Sequence, residues 1–345
     1  MMNLKNWRHS TDMITILKPG FLSTIQDLGR YGYQKYGVVV GGAMDQVSHR
    51  LANLLVGNDE NKPAIEITLM GPELQFEQDS LIAICGGSLS PTIDQTPIPN
   101  WKPILVKKGS LLKFGQVQKG CRAYLAVAGG FSIPAIMGSK STYLRAHIGG
   151  FQGRPLRAGD QLLLDRPREN TLKVIKDLQK KTNNRPFIKM NWSISPECIP
   201  NFNVNPVVRI MKGCQYDLFT KNAKYQLFHE PFTITVQSDR MGYRLQGPVL
   251  ALERPKEMTS EAVTFGTIQV PADGNPIILM ADHQTTGGYP TIGQIATVDL
   301  PVVAQTKPGD FLQFKEITHE AAQKLFLKRE YDLNQIKLGI SQKFS

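Results

Sequence analysis

Cysteine is scarce in this chain, and what there is has no telling spacing. Cys85, Cys121, Cys198 and Cys214 form no C-x-x-C pair, which argues against zinc ribbons and thioredoxin-type redox pairs. Cys85 and Cys121 fall in apolar strand-like runs and read as small core residues. Long hydrophobic runs are missing as well. No stretch reaches the ~18 apolar residues of a membrane span; the least charged one, 123–139, is broken by Gly129, Gly130 and Pro134. The first ten residues lack the apolar core of a signal peptide. The expected location is therefore the cytoplasm, with reduced thiols. No G-x-S-x-G elbow, H-E-x-x-H helix or G-x-G-x-x-G turn occurs. Gly138-Ser139-Lys140-Ser141 looks like the end of a P-loop, but its lysine does not directly follow the glycine, so it is no Walker A motif. Acidic residues are outnumbered, 29 to 40, for a net charge of +11. Part of the excess lies in residues 166–189 and in the tail after Lys324. No nucleic-acid motif or aromatic platform accompanies it, so the charge reads as solvated faces or attraction to an acidic partner or anionic substrate.

What is present is mostly β. Short apolar runs recur between turn signals at 13–17, 81–85, 104–106, 111–114, 123–127 and 161–164, and again at 207–211, 232–236, 277–280, 294–298 and 312–314. Many short strands with Gly and Pro turns point to barrels or sandwiches. Lys108-Gly109-Ser110, Ala158-Gly159-Asp160 and Pro308-Gly309-Asp310 each open an alternating apolar strand. Two of these turns close successive halves. The division that follows is a β domain over 13–166, a basic linker over 167–204, a second β domain over 205–317, and a C-terminal helix and tail over 318–345. Helical spacing is clear in 44–56, with Asp45 near its start and Gly57-Asn58 as a stop. It is also clear in 318–334, with Thr318 as cap and Ala321, Ala322, Leu325 and Phe326 as apolar stripe.

Chemistry concentrates in Asp282-His283-Gln284-Thr285-Thr286-Gly287-Gly288-Tyr289-Pro290, between two apolar strands. A plain reversal needs only about two to five residues; this one gathers an acid, an imidazole, an amide, two hydroxyls and a phenol. Three other groups qualify. Gln26-Asp27-Leu28-Gly29-Arg30, followed by Gly41-Gly42-Ala43-Met44-Asp45 and Asn53, could present N–H groups and a guanidinium to an anion, or Asp27 and Arg30 could simply pair in a turn. Asp239-Arg240-Met241-Gly242-Tyr243-Arg244 could grip an acidic ligand or be a solvated hairpin. Glu261 lies between polar Ser260 and apolar Ala262, with Gln269 on the strand that follows. Partly buried there, it could act as a general base; otherwise it is a strand-edge residue. Glu66 in Ala64-Ile65-Glu66-Ile67 has a similar setting. His283 has no second His or Cys spaced to join it on a metal.

In this order the clusters resemble the allophanate hydrolase subunit 2 family, also called the biotin-dependent carboxyltransferase family. The resemblance runs through Thr24-Ile25-Gln26-Asp27-Leu28-Gly29-Arg30, Gly42-Ala43-Met44-Asp45, Ala52-Asn53-Leu54-Leu55-Val56-Gly57-Asn58, Tyr124-Leu125-Ala126-Val127-Ala128-Gly129-Gly130, Gly149-Gly150-Phe151-Gln152-Gly153-Arg154, Asp239-Arg240-Met241-Gly242-Tyr243-Arg244-Leu245, Gly266-Thr267-Ile268-Gln269-Val270-Pro271 and the 282–290 loop. It implies a mainly β fold of two cyclophilin-like β-barrel domains with few short helices. Family members include the C component of bacterial 5-oxoprolinase, the antagonist of a sporulation-kinase inhibitor, and the carboxyltransferase domain of urea carboxylase. A free-standing chain of this length resembles the first two. The resemblance implies ATP-dependent opening of 5-oxoproline to glutamate, shared with a small cyclophilin-like B component and an A component. A regulatory binder and a biotin-dependent carboxyltransferase are the alternatives. No lysine sits in a biotin-carrier context, so no biotin is expected on the chain itself. The implied catalytic residues are Glu261, Arg240, His283 and Asp282. The implied substrate-binding residues are Gln26, Asp27, Arg30, Met44, Asp45, Asn53, Tyr243, Arg244, Gln269, Gln284, Thr285, Thr286 and Tyr289. Position 283 departs from the family pattern, where arginine is expected; histidine makes the loop's charge pH-dependent. The loop is expected to wall a cleft opposite 26–30 and 239–244.

Overall fold

The computed structural model describes residues 12–345 except Asn184 and Glu257. The N-terminus read above for a leader lies outside the described residues. The fold is mainly β, with five α-helices among the described residues. None of the helices is long and apolar enough to cross a membrane.

The first half stacks two six-stranded sheets. Alternation along the strands explains why. In Ser80–Ser88, Ile82 and Ile84 point into the core between the sheets, whereas Leu81, Ala83 and Cys85 point to the opposite face. In Lys119–Val127, Ala123, Leu125 and Val127 face inward, and Tyr124 and Ala126 outward. The outer face is covered by helix Gln46–Leu55, helix Glu169–Lys180 and helix His319–Lys343, so this sheet is buried on both sides. Burial on both faces produces near-continuous apolar runs, which is how these strands read in the sequence. In Ala64–Thr68 the same alternation sends Ile65 and Ile67 inward and leaves Glu66 on the outer, helix-covered face.

The second half is a closed seven-stranded barrel, sealed by parallel pairing of Val207–Lys212 with Phe311–Glu316. All three Gly-Asp/Ser turns put their glycine at positive φ, with Gly109 at 85°, Gly159 at 88° and Gly309 at 91°, a region open to glycine at little steric cost.

The segment expected as a basic linker is more than a connector. Helix Glu169–Lys180 buries Thr171, Ile175 and Leu178, and Phe187–Lys189 adds an antiparallel strand beside Ile104–Val106. The C-terminal helix starts at the expected cap, with the Thr318 Oγ1 accepting from the Ala321 N–H, but runs on to Lys343. Of the stripe read from the sequence only Ala322 is buried; the other buried residues of the helix are Leu333 and Ile340. Arg329 donates to the Thr297 carbonyl of the barrel at 3.0 Å, and Leu333 and Ile340 pack on the first half. The helix thereby clasps the two halves together.

Candidate functional site

The residues singled out in the sequence meet along the seam between the halves. Met44 enters from the first half and packs in the barrel core. Its backbone N–H donates to Glu66 Oε2 at 2.8 Å, and the Tyr124 hydroxyl donates to the same oxygen at 2.8 Å. From the barrel, Arg240 donates from Nη1 to Glu66 Oε1, from Nη2 to the Gly42 carbonyl at 2.6 Å, and from Nε and Nη2 to Asp282 at 2.8 and 3.0 Å. Arg240, Glu66 and Asp282 are all buried. Burial alone would depress the guanidinium, but Asp282 and Glu66 more than offset it and hold Arg240 above its ordinary range. Burial alone would raise the Glu66 carboxyl, but Arg240 and Arg122 keep it below the usual carboxylate range. Charge-assisted contacts of this kind satisfy each partner where water is excluded.

A second strip of the seam runs through Arg122 and Gln305. Arg122 Nη1 donates to the Tyr243 hydroxyl and the Ala304 carbonyl, each at 2.5 Å. Gln305 Oε1 accepts from the Cys121 and Arg122 N–H groups at 3.0 and 2.9 Å, and its Nε2 donates to Asp45 Oδ2 at 2.9 Å. Asp45 also caps helix Gln46–Leu55, accepting from the Ser48 N–H at 2.9 Å.

These contacts correct several expectations. Arg240 was expected among the catalytic residues, in a segment that could grip an acidic ligand; its Nε and both Nη atoms already donate within the protein. The helix start was expected to offer N–H groups to an anion. Instead the Ala43 N–H donates to the Asp27 carbonyl, the Met44 N–H to Glu66 and the Asp45 N–H to the Tyr124 hydroxyl. Asp27 does not pair with Arg30. It accepts from the Gly29 N–H, the Lys140 N–H and the Ser139 and Ser141 hydroxyls, between 2.5 and 2.8 Å, and so knots two loops. Asn53 donates to the Lys62 carbonyl at 2.8 Å and accepts from Asn58. Tyr243 is buried on Arg122, and Arg244 is exposed. Segment 239–244 does not oppose the 282–290 loop but lies beside it, with the Asp282 N–H donating to the Arg240 carbonyl at 2.8 Å. Glu261 is exposed, not partly buried, on a two-residue strand paired with Thr286–Gly287, and accepts from Gln215 Nε2 at 3.0 Å. The burial behind its general-base reading is absent.

The 282–290 loop thus divides. Asp282 and His283 are buried at the seam, whereas Gln284, Thr286 and Tyr289 are exposed, and Thr285 is half-buried. Gln269 is buried beneath the outer part and donates to the Tyr289 carbonyl at 3.1 Å. Tyr289 also lines an apolar cavity of about 740 Å³ with Met258, Pro271 and Val249.

Arg122 Nε has no partner, and Arg30 and His283 are likewise incompletely bonded. Arg30 is fully buried, donating from Nε to the Ile136 carbonyl at 3.1 Å and from Nη2 to the Ser141 carbonyl at 2.9 Å. Its Nη1 has no partner. Burial depresses this guanidinium, against the pull of Asp27 and Asp282. His283 donates from Nδ1 to the Gln284 carbonyl at 2.6 Å, which fixes the tautomer and leaves Nε2 as an acceptor. Burial holds the ring below its ordinary pKa and so favours the neutral form. Asp282 Oδ1 and Gly41 lie close together; a Cβ on Gly41 would stand 3.3 Å from that oxygen. The Arg30 N–H donates to the Val40 carbonyl at 2.7 Å, beside Gly41, so the backbone around Arg30 lies near the Asp282 end of the seam.

Sequence reasoning missed Arg122, Tyr124, Gln305 and His49. A charged residue inside the apolar strand Lys119–Val127 was the available signal for Arg122. His49 is buried in helix Gln46–Leu55, donates from Nε2 to the Gln26 carbonyl at 3.1 Å and leaves Nδ1 without a partner. Gln26 Oε1 is buried and unpartnered too, while its Nε2 donates to Thr24 Oγ1 and the Thr142 carbonyl.

A family model described as carboxyltransferase domain, subdomain A and B, matches residues 36–316. The chain is 40% identical to the C component of 5-oxoprolinase from Haemophilus influenzae over 96% of its own length and 100% of the relative. It is 36% identical to the C component from Escherichia coli over 90% and 94%. Urea amidolyase of Saccharomyces cerevisiae is 34% identical over 93% of this chain, which covers 18% of that protein. Among solved structures, the urea amidolyase of K. lactis matches with a TM-score of 0.84 and 31% identity, over 96% of this chain and 20% of the other.

Proposed function

The chain belongs to the carboxyltransferase domain (subdomain A and B) family, and we propose that it is the C component of an ATP-dependent 5-oxoprolinase. The observation that carries this reading is coverage. Relatives named as the C component of 5-oxoprolinase align with this chain along 100% and 94% of their length, whereas the urea amidolyase of Saccharomyces cerevisiae contains such a chain as 18% of a longer one. In the proposed reaction, 5-oxoproline is opened to glutamate by this chain acting with its A and B partners.

The seam supports a division of labour. The buried, unpartnered Nη1 of Arg30 takes the substrate carboxylate, because a buried guanidinium without a carboxylate of its own gains most from an incoming one. Neutral His283 accepts a proton through Nε2 from the attacking water, a task suited to an imidazole held unprotonated. Asp282 orients the loop through Arg240 and is a positioning residue. ATP supplies the activation of the lactam oxygen when bound. One open guanidinium nitrogen and one imidazole suit a carboxylate but not a triphosphate with its metal. Among the described residues, no group of three or more His, Cys, Asp or Glu could hold such an ion. The nucleotide is therefore assigned mainly to the partners, and no step here runs through it.

The test is ADP release dependent on 5-oxoproline, with this chain and both partners purified and mixed. Arg30→Met is expected to raise KM for 5-oxoproline at least about tenfold with a smaller change in kcat, and His283→Asn to lower kcat. A complete complex without turnover would favour a regulatory binder. The family description and the K. lactis likeness support a second reading, carboxyl transfer from a biotin carrier. Carboxylation by this chain with a carboxylated carrier, and no lactam opening, would select it.

A further inference from the structure

We infer that residues 31–36 form the edge on which the smaller partner protein docks, next to Arg30. This docking presupposes the hetero-complex proposed above. The segment reads Tyr31-Gly32-Tyr33-Gln34-Lys35-Tyr36 and follows directly on Arg30. Tyr31 is 60% exposed and Tyr36 70%, while Tyr33 is half-buried. Tyrosine presented this way offers a large amphipathic contact at low entropic cost and is enriched at the energetic centres of interfaces.

The segment is built, not loose. Gln34–Tyr36 is a single 3₁₀ turn closed by the Gly37 N–H on the Gln34 carbonyl at 2.9 Å. Its base is tied by the Arg30 N–H to the Val40 carbonyl at 2.7 Å and by the Leu28 N–H to Asn61 Oδ1 at 2.9 Å. A preordered edge loses little freedom on binding. The Tyr36 ring is met by the neighbouring Lys35 ammonium at 5.0 Å.

Charge identifies the occupant. No acidic residue occurs between Asp27 and Asp45, and both of those are buried. The edge presents one ammonium and three phenols on a chain of net charge +11. It therefore fits an acidic, acceptor-rich protein surface. The cavities of about 740 and 560 Å³ are lined by other residues, so the edge is an outward surface rather than a concave small-molecule pocket.

The experiment measures binding of the full-length chain to the purified smaller partner by titration calorimetry at low and high salt. Tyr31→Ser, Lys35→Glu and Tyr36→Ser combined are expected to weaken Kd at least about tenfold without moving the thermal midpoint. The unaltered complex is expected to weaken as salt rises. Tyr331→Ser with Leu338→Ser, on the exposed face of the C-terminal helix, is expected to bind as the unaltered chain does. Full-strength binding by the triple variant overturns the docking edge and leaves the proposed activity standing. Failure of the unaltered chain to bind either partner overturns both. A dimer of this chain that the triple variant dissolves assigns the surface to a second copy and likewise overturns the proposal.

Discussion

Arg240 and Arg30 are both buried arginines, and their surroundings are opposite. Arg240 is wrapped by Glu66, Asp282 and the Gly42 carbonyl, with Nε and both Nη atoms donating. Arg30 meets only two carbonyls and leaves Nη1 without a partner. The first arrangement is a finished structural joint between the halves. The second is incomplete, and an unfinished buried charge is where a ligand anion contributes most. Burial by itself therefore does not distinguish these two arginines; what differs is whether carboxylates compensate the guanidinium.

The largest effect expected is from Arg240→Met. It strands Glu66 and Asp282 in a buried place and should cost about 3–5 kcal/mol, read by urea denaturation. A loss below about 1 kcal/mol would erase the distinction between the two sites. Arg30→Met forfeits two carbonyl contacts but strands no carboxylate bonded to it, so it should cost only about 1–2 kcal/mol in the same assay. A cost equal to that of Arg240→Met would make Arg30 a structural joint as well.

Two buried histidines sharpen the contrast through pH. Burial lowers the pKa of both His49 and His283. The unfolded chain then binds more protons than the folded one once pH drops below the ordinary value of about 6.5. Their contribution is fully present above that pH and is lost as pH falls toward the folded values. His49→Phe, at the more deeply buried site, should flatten the fall in stability between about pH 7 and 5 more than His283→Asn does. Identical slopes in both variants would count against unequal burial as the cause.

The smallest effect expected is from Glu261→Gln. An exposed side chain with one contact to Gln215 should shift stability by no more than about 0.5 kcal/mol and leave turnover intact. A loss of turnover would move the chemistry from the seam to the outer arm of the loop.

Much of the architecture was legible because it depends on neighbours in sequence. Short apolar runs located many of the strands, and Asp45 and Thr318 located two helix starts; the three glycine turns each precede a strand but close no hairpin, since Gly109 joins strands of different sheets and Gly309 follows a helix. The 282–290 loop was recognisable by its polar content. The sequence could not say that its inner end is buried on Arg240 while its outer end pairs with Glu261. Arg122 and Gln305 were missed because each looks ordinary until the halves meet.

What the sequence determined by itself was the set of local preferences: alternating strands, left-handed glycines, capped helices, and Glu66 placed out of phase with its isoleucine neighbours. What only the tertiary structure decided was which charged groups become partners. Glu66 and Arg240 are 174 residues apart and meet only across the assembled seam. A buried charge is stabilised by whichever groups packing brings within a few ångströms, and that distance is not encoded in any local run. The same packing completed Arg240, left Arg30 open, and exposed Glu261.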